Sequence, residues 1–311
     1  MSRRKHAPEQ VGLDASSLSV GGEPDDIPRS ARAAARLVVS RALCPSSEGG
    51  PRGILSGIRS LDEKTGGWQP GDLILVAGRP GSGKTAFMLH CAMHAAALGV
   101  AVAVISYEMS GEALVMRALS SLSRLPCTAI RSGCLTERER EDLERAAEAD
   151  LFDRLFIEDR LAPDIREVYR AALAMRRSLE IGLLVIDYIQ LLGSGQERFV
   201  NSRAHEVAAL SRALKALARS LAIPVIAASQ LNRSIDTRSV RRPLMGDLRD
   251  SGGLEADADV IIALHRECLY SDLASAYDLD CFIIKHRNGP VGQIPLHFIA
   301  ETMTFLDKEG R

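Results

Sequence analysis

From Leu73 onward, short runs of aliphatic residues alternate with longer stretches in which apolar residues recur every three or four positions. The runs LILVAG from Leu73, AVAVIS from Ala101, LLVID from Leu183 and PVIAAS from Pro224 are apolar at nearly every position. That is the pattern of strands buried on both faces. Between them, the composition predicts a helix from about Lys84 to Leu98, another beginning near Gly111, and a third over Arg203 to Leu221. In the third, Val207, Leu210, Leu214, Leu217 and Leu221 form one stripe, with Arg and Lys on the other face, so the stripe packs on a core. Alternation of this kind predicts an α/β fold, a mostly parallel sheet flanked by helices. Toward the end, DVIIAL, DCFIIKH, GQIPLHFI and MTFLD are short runs joined by turns such as RNGP, which predicts antiparallel C-terminal strands added to the sheet edge.

The front of the chain reads differently. Residues 1–27 are rich in Ser, Gly, Pro and Asp and poor in large apolar groups, which predicts a disordered tail. Residues 28–52 comprise a segment of high helix propensity, PRSARAAARLVVSRAL, with Pro28 near its start, and then a linker, CPSSEGGPRG reaching into Gly53. Two readings stay open for that helix: a frayed extension of its own domain, or an arm that docks on a neighbouring subunit. Residues 53–311 are expected to form one globular domain.

Bulk composition narrows the classes. The chain has 311 residues, 46% hydrophobic and 25% charged, enough for one large core. Its longest nearly apolar stretch, CAMHAAALGVAVAVIS, is interrupted by His94 and Gly99 and falls short of the roughly 20 apolar residues of a membrane span. The basic start, MSRRKHAPEQ, is followed by no sustained apolar segment, so a secretory signal is not expected and the cytoplasm is the expected location. Six cysteines form no CxxC pair, which predicts reduced structural thiols and no zinc site. A formal charge of −1 means that any nucleic-acid contact must come from local clusters.

One string carries specific chemistry. Gly78, Gly83, Lys84 and Thr85 fit G-x-x-x-x-G-K-[ST] between an expected strand and an expected helix. The stretch Gly78, Arg79, Pro80, Gly81, Ser82, Gly83, Lys84, Thr85 and Ala86 is therefore a candidate cradle for the phosphates of ATP, whose backbone N–H groups and helix N-terminus face the anion. Lys84 would reach the β and γ phosphates, and Thr85 would sit on Mg²⁺. Asp187 closes the run LLVID at a strand end, where ligands gather in open α/β sheets, and is the candidate second magnesium residue; a capping role for it stays open. Glu108, after AVAVIS, is the candidate general base, with helix capping as the alternative. Gln230, after PVIAAS, is a candidate for orienting water or sensing the γ-phosphate, and a plain loop hydrogen bond is the alternative.

Arginines crowd NRSIDTRSVRRP: Arg233, Arg238, Arg241 and Arg242. Repeated around a pore they would present cations to a phosphate backbone. A solvated loop is the other reading.

Together, GRPGSGKTAF, ISYEMS, VIDYIQLL, LKALARSLAIPVIAASQLNR, RPLMGDLRDSGGLEADADVI and IIKHRNGPVG resemble the C-terminal motor domain of the DnaB family of replicative hexameric helicases, from about Gly53 to Leu306. The resemblance implies a RecA-like P-loop fold assembled as a ring around single-stranded DNA, with ATP as fuel, Mg²⁺ as cofactor and 5′–3′ translocation. It implies Lys84 and Thr85 on the nucleotide, Asp187 on magnesium, Glu108 as catalytic base and Gln230 as the sensor linking γ-phosphate to DNA loops. Lys285 and Arg287 match the family's K-x-R element, which reaches into the neighbouring subunit's site; from sequence alone KHRNGP is a basic hairpin turn. The element matching DLRDSGG carries Arg249, Asp250 and Gly252 over as backbone contacts to DNA. The front departs from the family pattern. Residues 1–52 are too short and too polar for the N-terminal collar that engages primase, so recruitment of primase or a loader is in doubt, whereas the helix at 28–43 matches a linker helix that supports homo-oligomer assembly, expected to be a hexamer. Two other functions stay open: a RecA-like ATPase acting on protein partners, and a non-motor factor that oligomerises with ATP.

Overall fold

A computed structural model of the chain describes residues 53–187, 203–238, 240–248 and 252–308, together with the positions 31–32, 35–36 and 39. The chain divides into two units, 1–49 and 50–311. In the first, the described positions Ala31, Arg32, Ala35, Arg36 and Val39 are helical and exposed, within the segment for which a helix is expected.

The second unit runs α1 (Arg59–Thr65), β1 (Leu73–Gly78), α2 (Lys84–Ala97), β2 (Val102–Ser106), α3 (Gly111–Ser123), α4 (Cys127–Ser132), α5 (Glu137–Ala147), β3 (Leu155–Glu158), α6 (Ile165–Ser178), β4 (Leu183–Asp187), α7 (Arg203–Leu221), β5 (Val225–Gln230), α8 (Gly252–Asp257), β6 (Val260–His265), β7 (Asp278–His286), β8 (Gly292–Ile299) and β9 (Thr304–Asp307). The strands form one sheet in the order β3-β2-β4-β5-β1-β6-β7-β8-β9. Strands β3 to β6 in that order are parallel, and β7, β8 and β9 are antiparallel.

Strand β1 is buried along its whole length because its two faces meet two different layers. Ile74 and Val76 join Phe87 and Cys91 of α2, Trp68, Phe298 and Phe305. Leu73, Leu75 and Ala77 join Val168 of α6 and the Val207–Leu221 stripe of α7. The stripe is thus core, as its spacing predicts.

One sequence expectation is corrected. DVIIAL is expected among the antiparallel edge runs, but β6 pairs in parallel with β1, Ile74 beside Val260, and lies inside the sheet. The short helix α8 before it returns the chain to the starting end of β1, so β6 enters in the same direction as β1. From β6 to β9 the connections contain no α-helix, and each strand reverses. The strand β3 and the helices α5 and α6 have no counterpart in the sequence reading. β3 is a four-residue edge strand with only Leu155 fully buried, and α5 is a highly charged helix started by a capping box between Thr136 and Glu139.

Candidate nucleotide site and basic segment

Register brings the candidate residues to one edge of the sheet. Gly78 at the end of β1 pairs with Gln230 at the end of β5. Ser106 at the end of β2 pairs with Asp187 at the end of β4. The loop between β1 and α2 wraps over this edge. A Cβ on Gly78 would lie 2.2 Å from Ser82 Oγ, and Gly83 has φ of 94° with the Phe298 ring 3.3 Å from the position of a Cβ, so both glycines are needed for the turn.

Lys84 Nζ donates to the carbonyls of Gly78 at 3.0 Å and Arg79 at 3.1 Å. Burial lowers its pKa from the ordinary lysine value, opposed by the charges of Asp187 and Glu108. In the next position, Thr85 Oγ1 donates to Asp187 Oδ2 at 2.7 Å. Burial raises the Asp187 pKa, with Glu108 acting in the same sense and the Thr85 hydrogen bond and Lys84 charge acting against it. A hydroxyl and a carboxylate in contact beside a phosphate cradle form an oxygen donor set that suits a hard divalent cation sharing its shell with phosphate and water.

Glu108 is exposed in the turn after β2. The turn is fixed by the Tyr107 N–H donating to the Asp187 carbonyl at 2.8 Å and by Ser106 Oγ donating to the Met109 carbonyl at 2.7 Å. Ser110 then caps α3, accepting from the Ala113 N–H at 3.3 Å. Lys84, Thr85, Asp187, Glu108 and Gln230 therefore lie at the same end of the parallel strands. Gly81 completes the loop at φ of 79°, Pro80 lies in it, and Ala86 is buried in the first turn of α2.

Arg79 lies in the loop. Its backbone is in the cradle, but its side chain donates from Nε and Nη2 to Asp236 at 3.1 and 2.8 Å and from Nη1 to the Leu231 carbonyl at 3.2 Å. Sequence reasoning also missed a neighbour of the loop. The Arg266 guanidinium lies 5.1 Å from the centre of the Phe298 ring and donates to the Gly81 carbonyl at 3.3 Å. No local spacing could reveal it, because the two residues come from the ends of β6 and β8.

Lys285 and Arg287 lie elsewhere. His286 pairs with Val260, which pairs with Ile74 near the start of β1, whereas the phosphate loop follows the other end of that strand at Gly78, beside Leu264. Four residue steps of strand, about 13 Å, separate the two ends. In its own chain Lys285 Nζ donates to the carbonyls of Glu255 at 2.5 Å and Ala258 at 2.6 Å, and Arg287 donates to Asp259 Oδ1 at 3.1 Å and to the Ala256 carbonyl at 3.0 Å. Asp259 is a buried junction that sequence reasoning also missed. Its Oδ2 accepts from the Leu73 N–H at 2.8 Å and from Lys215 Nζ at 2.5 Å.

Of the arginines after Gln230, Arg233 opens a short 3₁₀ turn, 233–237, whose Ile235 is anchored in the core, and the others follow it. Arg238 pairs with the buried Asp247. Arg241 pairs with Glu267 at 3.4 Å and lies 4.9 Å from the Tyr270 ring centre, and Arg242 lies 5.0 Å from that of Phe282. Arg249 and Asp250 lie outside the described residues, and Gly252 opens α8.

A phosphate loop after the central strand, with a Thr–Asp contact across β5 and an acid after β2, defines a P-loop ATPase fold of the RecA type. The family model for the DnaB-like helicase C terminal domain matches residues 53–307, and the chain belongs to that family. It is 40% identical over 262 residues to the replicative DNA helicase DnaB of Geobacillus stearothermophilus, covering 83% of this chain and 57% of that protein. It is likewise 40% identical over 264 residues to the DnaB of Haemophilus influenzae, covering 82% and 55%. The chain thus spans about half the length of the curated relatives it matches. Among solved structures, an isolated ATPase domain matches with a TM-score of 0.85 and 31% identity, covering 91% of this chain and 100% of that one. A DnaB-like replicative helicase, described with its interactions with primase, matches at 0.81 and 31%, covering 88% and 68%. Among the described residues no helix is long and apolar enough to cross a membrane.

Proposed function

We propose that this chain is an ATP-driven helicase and single-stranded-DNA translocase that works as a ring, expected to have six subunits, in DNA replication in the cytoplasm. The observation that carries the reading is the convergence of Lys84, Thr85, Asp187 and Glu108 at one end of the parallel strands in a chain of this family. Lys84 gives up its contacts to the Gly78 and Arg79 carbonyls and binds the β and γ phosphates. Thr85 and Asp187 would hold Mg²⁺, which would neutralise charge on the phosphate oxygens. Glu108 accepts the proton of the attacking water, and Gln230 senses the γ-phosphate. The Arg266 guanidinium, backed by the buried Phe298 ring beside the loop, offers a flat cationic surface on which a nucleobase can stack.

Lys285 and Arg287 sit at the wrong end of β1 to serve their own chain's phosphate loop, which supports a role in a neighbouring subunit's site. A trans arginine contributes about 10³ to 10⁵ in rate. In this reading Arg238, Arg241 and Arg242 contact the DNA backbone, as do Arg249, Asp250 and Gly252 of the matching family element.

The test is steady-state ATP hydrolysis with and without a single-stranded oligonucleotide, at low and moderate salt, for the wild type and Arg287→Ala. Strong stimulation that fades with salt and disappears in the variant is expected. Robust hydrolysis indifferent to DNA sinks the reading and leaves an ATPase that acts on protein partners.

A further inference from the structure

We propose that Arg79 is a positioning residue that couples the phosphate loop to the arginine-rich segment through its paired hydrogen bonds with Asp236. The inference rests on the reading of the chain as a DNA-stimulated ATPase and adds to Gln230 a second connection on the far side of Leu231.

The loop and the segment are joined by a small set of hydrogen bonds from two adjacent loop residues. The Leu231 N–H donates to the Gly78 carbonyl at 3.3 Å. Arg79 Nη1 donates to the Leu231 carbonyl at 3.2 Å, and Nε and Nη2 grip the two oxygens of Asp236. The Arg79 side chain is only 16% exposed, so the planar fork is held and partly shielded from water. Asp236 sits one residue after the buried Ile235 and in the same turn as the start of the arginine series, so a shift of its carboxylate carries the turn with it. Tyr270 interacts with both Asp236 and Arg79, and its ring lies under Arg241. A displacement of the pair therefore reaches a second arginine of the segment.

The other end of the coupling is Lys84. Its ammonium group holds the carbonyls of Gly78 and Arg79, the same two residues that hold Leu231 and Asp236. When Lys84 turns to a phosphate, both carbonyls lose a cationic donor and the Arg79 peptide is free to re-orient. The fork on Asp236 transmits that change to the segment. A coupling of this kind is worth about 5- to 150-fold in affinity and is reciprocal between the two ligands.

The experiment uses the full chain and three forms: wild type, Asp236→Asn and Asp236→Ala. Unstimulated ATP hydrolysis, stimulation by oligothymidylate, and the affinity for oligothymidylate with and without a non-hydrolysable ATP analogue are measured for each. The expected result is unstimulated hydrolysis like wild type, with the stimulation reduced and the nucleotide-dependent gain in DNA affinity lowered by about 5- to 150-fold. Reciprocity requires that the DNA-dependent gain in analogue affinity fall by the same factor. The charge exchange Arg79→Asp with Asp236→Arg, if it folds by circular dichroism, should recover part of the stimulation; where it does not fold, the isosteric Asp236→Asn form decides alone. Unchanged stimulation and unchanged coupling in Asp236→Asn overturn the proposal, as does a parallel fall in stimulated and unstimulated hydrolysis, which marks a merely structural contact. Failure of the functional reading is a different result, a wild type that DNA does not stimulate at all.

Discussion

Thr85 Oγ1 and Asp187 Oδ2 lie 2.7 Å apart, joining the first turn of α2 to the end of β4 across the intervening strand β5. The contact keeps a carboxylate that is 2% exposed in place, at the cost of withdrawing its charge from water. Burial thus favours the neutral form of Asp187.

Replacing it should separate stability from activity. Asp187→Asn is expected to lower the hydrolysis rate by about 10² to 10³, the effect of removing one preorganised electrostatic interaction. Stability should move the other way. A carboxylate whose folded pKa is raised contributes stability that is present below the unfolded value of about 3.9 and is lost as pH rises through the folded value. In nucleotide-free thermal melts, Asp187→Asn should therefore match the wild type at acid pH and melt higher at neutral pH. A variant that melts lower at neutral pH would refute this.

Arg287 and Lys84 belong to opposite ends of β1, so a shared site predicts complementation. Arg287→Ala and Lys84→Ala should each hydrolyse ATP about 10³-fold more slowly in the presence of DNA. Mixed after dissociation and reassembly, they should exceed the sum of the separate rates, because the phosphate loop of one subunit then meets the arginine of the other. Strict additivity would place Arg287 outside the reaction.

The phosphate loop is legible in the sequence because its chemistry is contiguous: successive positions must bend, donate and charge in order, and glycine at Gly78 and Gly83 leaves a visible mark. Asp187 and Glu108 are legible as the last acids after aliphatic runs, and parallel pairing of β2 with β4 puts them together. Asp259, Asp236 and the Arg266–Phe298 pair are not. Each acts through a partner on a distant strand or loop, and nothing about one aspartate in a sequence says which amide or guanidinium it will meet. The direction of β6 is hidden for a related reason. A run buried on both faces reads the same in either direction, and only the connection before it decides.

Asp259 should matter to folding more than the residues it holds. Its two oxygens take the first N–H of β1, Lys215 and Arg287, and its side chain is 5% exposed. Asp259→Ala takes the counter-ion from a shielded ammonium that keeps only the Gly71 carbonyl at 2.7 Å, and leaves the buried Leu73 N–H without its side-chain partner, a change that costs about 3 to 5 kcal/mol. Urea denaturation should show the midpoint falling with the slope unchanged. Arg287→Ala, which leaves the Lys215 pair intact and removes a half-exposed group, should fall much less.

The arginine series should divide by partner. Arg238 is paired with Asp247, whose side chain is 7% exposed and also accepts from the Leu244 N–H at 2.7 Å. Arg238→Ala strands that carboxylate and should destabilise the domain, obscuring any effect on DNA. Arg242 rests on an aromatic ring, an interaction worth about 0.5 to 1 kcal/mol where water has access. It can leave Phe282 for a phosphate with little penalty. Arg242→Ala should therefore melt close to wild type yet bind single strands more weakly by a similar factor for every sequence. The slope of log affinity against log salt should fall by about one for each phosphate that the variant no longer neutralises. Fluorescence anisotropy with oligothymidylate and a mixed-sequence strand over a salt series measures both quantities. An unchanged slope in Arg242→Ala would remove that residue from the DNA path and leave its contact with Phe282 as its whole role.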